Sequence, residues 1–349
     1  MGQEAGFRAG DEVEVRSARE ILATLDEDGA LDAVPFMPEM LEHIGERHRV
    51  YKRLEKICDY FSGEPSRARF LPGAVVLDEL RCDGSGHGGC MARCRYFWKE
   101  AWLRWPDAEA PPPDPAAEAT ARRELERRVG AAVRVTRVID DEKEEVWRCQ
   151  ITEAIRASTP VGEASPRRFL RELTSRNVTF WQFIRVSFRA VSERIGRKLK
   201  VVPELGIKVA GADHVDGERL DLQPGETVEV RSQAEIGRTL DESARLRGLV
   251  YTAEMNPACG NRFMVKERIE RLIDERNGRM IEIKSDCITL ENFICTGEHT
   301  RGAWFCAREH FPIWREAWLK RVDDGTNGVD QLGVGTTSAT SASRATSDA

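Results

Sequence analysis

Hydrophobic and polar residues alternate in two runs near the start of the chain. Val13 and Val15 alternate with charged residues, and a second alternating run surrounds Val50. A period of two is typical of half-buried β-strands, so both runs predict strands. Phe36 and Met40, four residues apart between these runs, predict a short helical turn. The pattern therefore predicts a strand, a long loop, a helical turn and a second strand.

The same pattern returns 215 residues later. Residues 10–50 align with residues 225–265 without a gap, and eighteen of the 41 aligned pairs are identical. One long period indicates a duplicated domain rather than a solenoid of short repeats. The order of elements is similar to that of small Src-homology-3-like β-barrels, so we predict two such barrels at residues 7–105 and 220–322. The expected fold class is mainly β with α, that is α+β, with a mixed α/β segment joining the barrels.

Each repeat ends with two tryptophans that are four residues apart. They are Trp98 and Trp102 in the first repeat, and Trp314 and Trp318 in the second. This spacing predicts a C-terminal helix with both rings on one face. We expect the rings to pack that helix against its barrel, and an exposed aromatic groove for a peptide is the alternative.

The segments outside the repeats differ in composition. Residues 106–118 contain five prolines and predict an extended linker. Residues 119–215 predict a mixed middle segment, in which Asn177 would cap a basic helix that ends near Gly196. Residues 323–349 lack periodicity and predict a disordered tail. The apolar stripe of the basic helix is predicted to consist of Phe180, Ile184, Phe188, Val191 and Ile195.

Charge is distributed unevenly along the chain. The formal net charge is −6, but residues 166–200 contain ten Lys or Arg and two Glu. We expect this basic segment to lie against the acidic remainder. The alternatives are a membrane surface, or nucleic acid with Phe180 and Trp181 stacking on bases. The N-terminus has no secretory pattern and the chain has no long apolar run, so the expected location is cytoplasmic with no transmembrane segment.

The cysteines of the first repeat suggest a metal site. Cys58, Cys82, Cys90 and Cys94 are the four cysteines of this repeat, and glycines separate Cys82 from Cys90. Cytoplasmic thiols stay reduced, and four thiolates in tight turns are typical of structural zinc. We therefore predict a Zn²⁺ site, with His87 as a substitute ligand. The alternative is a buried Cys58 beside free thiols.

The second repeat keeps only part of this set. Cys295, Cys306 and His310 align with Cys82, Cys90 and Cys94, whereas Cys58 is replaced by Ile273. Cys259 and Cys287 appear instead, so the predicted second zinc site is Cys259, Cys287, Cys295 and Cys306, with His310 as the main substitute. Both zinc ions are expected to stabilise folding. Cys149 is predicted to be an isolated core residue.

Motifs for catalysis are absent from the sequence. The chain contains no His-Glu-x-x-His helix, no Gly-Lys-Ser/Thr phosphate loop and no Gly-x-Ser-x-Gly elbow. The favoured function is therefore a zinc-stabilised binding or scaffolding protein that recognises a protein or peptide partner. The alternative is an enzyme with a site between the repeats that uses His87, His299 or a cysteine thiolate.

The chain resembles an uncharacterised bacterial family of cysteine-rich proteins with two Src-homology-3-like repeats. The resemblance covers nearly all of residues 7–322. It implies the two-repeat boundaries and an accessory role in a bacterial biosynthetic pathway, and it implies no activity. It rests on Glu14 to Ser17 with Thr24 to Asp26, Cys82 to Cys94, Phe97 to Leu103, Trp147 to Gln150, and Cys295 to Leu319.

Overall fold

A computed structural model describes residues 6–59, 68–108, 114–161, 166–198, 207–284, 286–300 and 303–322. The described chain is mixed α+β and consists of small antiparallel sheets with short helices. The predicted α+β class is confirmed at this level. The tail predicted at residues 323–349, and residues 109–113 of the predicted linker, lie outside the described residues.

The first repeat is built from short strands. Helix α1 (Ala18–Leu22) follows the first strand, and 3-10 turns occupy Pro38–His43 and Glu100–Trp102. The strands are β1 (Glu12–Val15), β2 (Ala30–Leu31), β3 (Val34–Pro35), β4 (Arg47–Arg53), β5 (Ile57–Cys58), β6 (Ala68–Phe70), β7 (Ala74–Leu77), β8 (Trp98–Lys99) and β9 (Leu103–Arg104).

The middle segment contains most of the helical residues. Its elements are α2 (Pro115–Ala132), β10 (Arg134–Ile139), β11 (Glu142–Trp147), α3 (Ala154–Ala157), β12 (Thr159–Pro160), α4 (Pro166–Thr174), α5 (Phe180–Lys198) and the 3-10 turn Gly211–Asp213. Helix α2 begins within the predicted linker, because Asp114 caps it and proline is compatible with a first helical turn.

The second repeat has the same order of elements as the first. Its strands are β13 (Thr227–Val230), β14 (Arg245–Leu246), β15 (Leu249–Val250), β16 (Arg262–Arg268), β17 (Arg271–Ile273), β18 (Met280–Glu282), β19 (Cys287–Leu290), β20 (Trp314–Arg315) and β21 (Leu319–Arg321). Its helical elements are α6 (Gln233–Gly237) and the 3-10 turns Ala253–Ala258 and Glu316–Trp318.

Equivalent five-stranded sheets form the centre of the two repeats. Their strand orders are β8-β7-β4-β1-β9 and β20-β19-β16-β13-β21. The short helix after the first strand is capped alike in both, by Ser17 with Glu20 and by Ser232 with Glu235. Among the residues described, no ladder joins the two edge strands of either sheet, so neither sheet is a closed barrel.

The predicted C-terminal helices are wrong. Each tryptophan pair spans a strand, one 3-10 turn and another strand. Trp98 pairs with Val75 in the sheet, and the Trp102 ring donates a hydrogen bond to Thr24 Oγ1 at 3.0 Å. Sheet pairing on both sides of the turn satisfies more backbone groups than a single helical turn could. All four rings are fully buried, so they offer no exposed groove.

Helix α5 begins at Phe180, two residues later than a cap at Asn177 predicts, and continues past Gly196. The Thr179 hydroxyl, not Asn177, accepts a hydrogen bond from the Gln182 backbone at 3.2 Å. The Asn177 side chain instead bonds the N–H and the C=O of Arg53, at 2.7 and 2.8 Å. Asn177 therefore fixes the chain before α5 to the first repeat.

The predicted apolar stripe of α5 faces outward at the positions that are described. Phe180 and Phe188 are 59% and 76% exposed, whereas Phe183 and Val186 pack with Phe305 of the second repeat. Spacing alone identifies an apolar face but not the side on which the protein lies. The side chains of Val191 and Ile195 lie outside the described residues.

Two equivalent ion pairs join the repeats. Glu309 lies 2.6 Å from Lys52 of the first repeat, and Arg93 lies 3.3 Å from Glu267 of the second. The alignment matches position 93 with 309 and position 52 with 267. The same contact is therefore made twice, with the signs of the charges reversed.

Candidate metal centre

Glycines shape the first cysteine loop, which runs from Cys82 to Cys94. Gly84 has a φ of +79°, and a Cβ there would lie 2.1 Å from the carbonyl oxygen of Cys90. No other residue fits this position, because an L side chain would clash with the backbone. The Cys82 N–H then donates to the Cys94 carbonyl at 2.8 Å, which closes the loop.

A small cavity of about 40 Å³ lies beneath this loop. Ile273 and Glu275 of the second repeat complete its wall. The sulfur and imidazole groups around it that could bind a metal are Cys82, His87, Cys90, Cys94 and Cys149. The cavity therefore lies at the junction of the first repeat, the middle segment and the second repeat.

Cys149 is buried in the core, as the sequence predicts, but it is not isolated from the other cysteines. It lines the cavity because Gln150, the next residue, bonds both backbone groups of Phe97, at 2.7 and 2.9 Å. The segment Trp147 to Gln150 is thereby fixed against the first repeat. A cysteine distant in sequence gives no spacing signal, so only the fold reveals this neighbour.

A buried carboxylate orients His87. Its Nδ1 lies 2.8 Å from Glu39 Oε1, and its Nε2 lies 3.5 Å from Cys82 Sγ. Metal-binding histidines commonly present one nitrogen to the ion and the other to a carboxylate. The ligand atoms of Glu39, Cys82 and His87 all lie within 4.8 Å of one another, so this group could hold a metal ion.

Burial keeps three of the cavity thiols protonated, those of Cys82, Cys94 and Cys149. It raises the pKa of Cys149 to about 11, and it raises the pKa of Cys82 and of Cys94 still further. A thiolate nucleophile needs a lowered pKa, so these thiols are poor nucleophiles. A bound cation would reverse this effect, because metal binding draws the proton from a thiol.

The second cysteine loop, between Cys295 and His310, is closed in the same way as the first. The Cys295 N–H donates to the His310 carbonyl at 2.9 Å, as Cys82 does to Cys94. Gly297 has a φ of +68°, and a Cβ there would lie 2.3 Å from the Ala303 carbonyl oxygen. Burial lowers the pKa of His310 to about 3, with Arg308 and Arg81 acting in the same direction, so its imidazole is neutral. Neutral imidazole is the form that binds metals.

The structure divides the predicted ligands differently from the sequence alignment. Cys58 lies beside Cys306, with its N–H 3.2 Å from the Cys306 sulfur, and it does not line the cavity of the first loop. Cys259 lies 3.4 Å from the Tyr251 hydroxyl, and Cys287 accepts a hydrogen bond from Arg315 at 3.2 Å. Neither Cys259 nor Cys287 belongs to a ligand-spaced group among the described residues.

A third group of ligand-type side chains lies at the start of β4. Glu46 Oε2 is 2.9 Å from His43 Nδ1 and 3.2 Å from His48 Nε2. Burial lowers the pKa of His48, and the neighbouring His43 lowers it further. Glu46 is exposed, and exposed acidic groups of this kind are common without a bound ion.

The predicted catalytic alternative uses His299, which does not line the cavity of His87. Its Nε2 lies 3.3 Å from Arg189 of α5. Burial lowers the pKa of His299, and the charge of Arg189 lowers it further. The arrangement ties the second loop to α5.

Helix α5 lies on the second repeat and presents a mixed outer face. The Phe183 ring stacks on Phe305 with centroids 5.8 Å apart, and Arg185 and Arg189 pair with Glu298. The expected contact between basic helix and acidic repeat is therefore present at Glu298. The large apolar side chains left exposed are Phe180, Trp181, Ile184 and Phe188.

None of the described helices has the length and apolar content that crossing a bilayer requires. Comparisons of the chain with protein-family models, curated proteins and solved structures found no match.

Proposed function

We propose that the chain is a zinc-stabilised binding protein. The observation that carries this proposal is that four cysteines and His87 line one small cavity, with His87 oriented by Glu39. Sulfur and imidazole ligands favour Zn²⁺ over Mg²⁺ or Ca²⁺. Cys82, Cys90 and Cys94 would bind the ion, with Cys149 or His87 in the fourth position. Of these residues only Cys82 and His87 belong to a ligand-spaced group among the described residues, so binding would have to draw the other thiols inward.

The zinc is proposed to be structural. A catalytic zinc keeps one position open for water or substrate, whereas this cavity offers five candidate ligands for four positions. Binding would join the first loop to the middle segment through Cys149. The equivalent sheets and their 3-10 turns support the view that the ion stabilises one of two Src-homology-3-like repeats.

The binding surface is proposed to be the outer face of α5, and its partner an acidic protein segment. Trp181 and Phe188 are 77% and 76% exposed and supply apolar contacts. Arg185 remains largely exposed even while it contacts Glu298. The excess of cations in residues 166–200 complements an acidic partner that carries an apolar face.

Metal content tests the zinc centre. Cys90→Ser should lower the zinc bound per chain by one ion and reduce stability, because Cys90 is a proposed ligand. Cys259→Ser is the matched control and should retain the full zinc content. A Cys90→Ser protein with unchanged zinc would contradict the proposal. Comparing Cys149→Ser with His87→Gln identifies the fourth ligand, since only its loss should release the ion.

Peptide binding tests the surface of α5. The probe is a labelled amphipathic helix of glutamate and leucine, titrated by fluorescence anisotropy at low and high salt. Replacing both Trp181 and Phe188 with alanine should weaken binding by about tenfold or more, as loss of aromatic anchors does. Val138→Ala, which removes an exposed apolar side chain from β10, is the control. Equal binding by both variants, or binding only to phosphatidylserine vesicles, would refute the proposed partner.

A further inference from the structure

The two cysteine loops exchange partners between the repeats. The Met91 N–H of the first loop donates to the Arg271 carbonyl at 3.1 Å, and the Ala307 N–H of the second donates to the Lys56 carbonyl at 3.0 Å. Position 56 corresponds to 271 in the repeat alignment. Each loop is therefore hydrogen-bonded to the segment that follows β4 or β16 in the other repeat.

In each loop, the exchange also brings one strand residue of the other repeat next to one cysteine. The Ile273 N–H lies 3.4 Å from the Cys90 sulfur, and the Cys58 N–H lies 3.2 Å from the Cys306 sulfur. Positions 58 and 273 are equivalent in the alignment. The first loop thus meets an isoleucine, whereas the second meets a cysteine from the first repeat.

The surroundings of Cys58 suit a ligand set. Cys58, Cys295 and Cys306 are buried, and the thiols of Cys58 and Cys306 hydrogen-bond to each other. Cys295 is close enough that its thiolate would raise the pKa of Cys306. Its backbone bond to His310 holds these two residues together, as Cys82 and Cys94 are held in the first loop.

We infer that Cys58, Cys295, Cys306 and His310 form a second zinc-type metal centre that spans the two repeats. Each centre then has four ligands: the first takes Cys149 or His87 in its fourth position, and the second gains Cys58 from the opposite repeat. No three of these four ligand atoms form a group within 4.8 Å of one another among the described residues. Metal binding is expected to draw them together to bonds of about 2.0–2.3 Å.

This centre rests on the proposed function only for the class of metal, because the two centres share no ligand. Inductively coupled plasma mass spectrometry of the full chain should find two zinc ions in the wild type and in Cys259→Ser. It should find one in Cys58→Ser and one in Cys90→Ser. A Cys58→Ser protein that keeps every ion of the wild type would overturn the second centre and leave the first intact. A wild type without zinc would overturn both.

A spectroscopic variant covers the case in which Cys58→Ser does not fold. In the Co²⁺-substituted protein, His310→Cys should keep two ions, and its d–d bands should move to longer wavelength because sulfur replaces nitrogen. Unchanged bands, or metal-free protein with a Cys58–Cys306 disulfide by mass spectrometry, would overturn the inferred ligand set.

Discussion

Glu309 is expected to be the most sensitive charge at the junction of the repeats. Its carboxylate accepts hydrogen bonds from the Tyr51 hydroxyl at 2.8 Å and from Lys52 at 2.6 Å, and it lies 3.1 Å from Arg95. Burial alone would lower the pKa of Lys52, but the Glu309 carboxylate raises it above its ordinary value. The perturbation that isolates this charge is Glu309→Gln, which preserves size and shape.

The expected cost follows from burial. The side chains of Glu309, Arg95 and Lys52 are 3%, 9% and 12% exposed. Removing the anion leaves two nearly buried cations without compensation, and breaking a buried pair from one side costs about 3 kcal/mol or more. The equivalent control is Glu267→Gln. Its partner Arg93 is 35% exposed, so water can compensate and the expected loss is about 1 kcal/mol or less.

Urea denaturation in zinc-containing buffer, followed by fluorescence of the buried tryptophans, measures both losses in the free energy of unfolding. Metal content is determined on the same samples, because Glu309 precedes His310 and a loss of zinc would confound the comparison. At equal metal content, a Glu309→Gln protein no less stable than Glu267→Gln would refute the reasoning.

Gly297→Ala should release about one zinc ion per chain, as measured by mass spectrometry, because its Cβ would meet the Ala303 carbonyl oxygen. Gly260 has a similar positive φ but open space around its Cβ position, so Gly260→Ala is the control and should keep its zinc. Ser17→Ala and Ser232→Ala should each lower the free energy of unfolding by about 1 kcal/mol in urea titrations, since each removes a helix cap. Burial raises the pKa of the Glu172 carboxyl to about 7, so its contribution to the free energy of unfolding should fall as pH rises from about 5 to 7. Glu172→Gln should lose this pH dependence, and parallel profiles of stability against pH for the wild type and the variant would contradict the assignment.

The sequence predicts the duplication and the glycine-shaped loops well, because both are local patterns. Ser17 and Ser232, with a glutamate three residues later, also carry their cap geometry in the sequence itself. The spacing of the tryptophan pairs wrongly predicts helices, because a spacing of four fits one helical turn and equally fits two strands joined by a 3-10 turn. Pairing with sheet partners such as Val75 favours the strands, and the local sequence around Trp98 carries no information about these distant partners.

The ligand sets were harder to predict for a related reason. Aligning the repeats assigns each cysteine to its own repeat, whereas the loops cross between repeats. Cys58 therefore lies with Cys306, and Cys149 joins the first loop from a segment that has no counterpart in the duplication. Glu39 was overlooked because its contact with His87 depends on the position of a 3-10 turn.

The reversed ion pairs also specify which halves can associate. If two first repeats met through the same crossing, Arg93 of each copy would face Lys52 of the other, and two second repeats would set Glu309 against Glu267. Like charges disfavour both homodimers, whereas the mixed pair places opposite charges together at both crossings. Two separately expressed halves should therefore bind each other in preference to a second copy of themselves. The tandem chain thus contains, in a single polypeptide, the charge pattern that would specify a heterodimer.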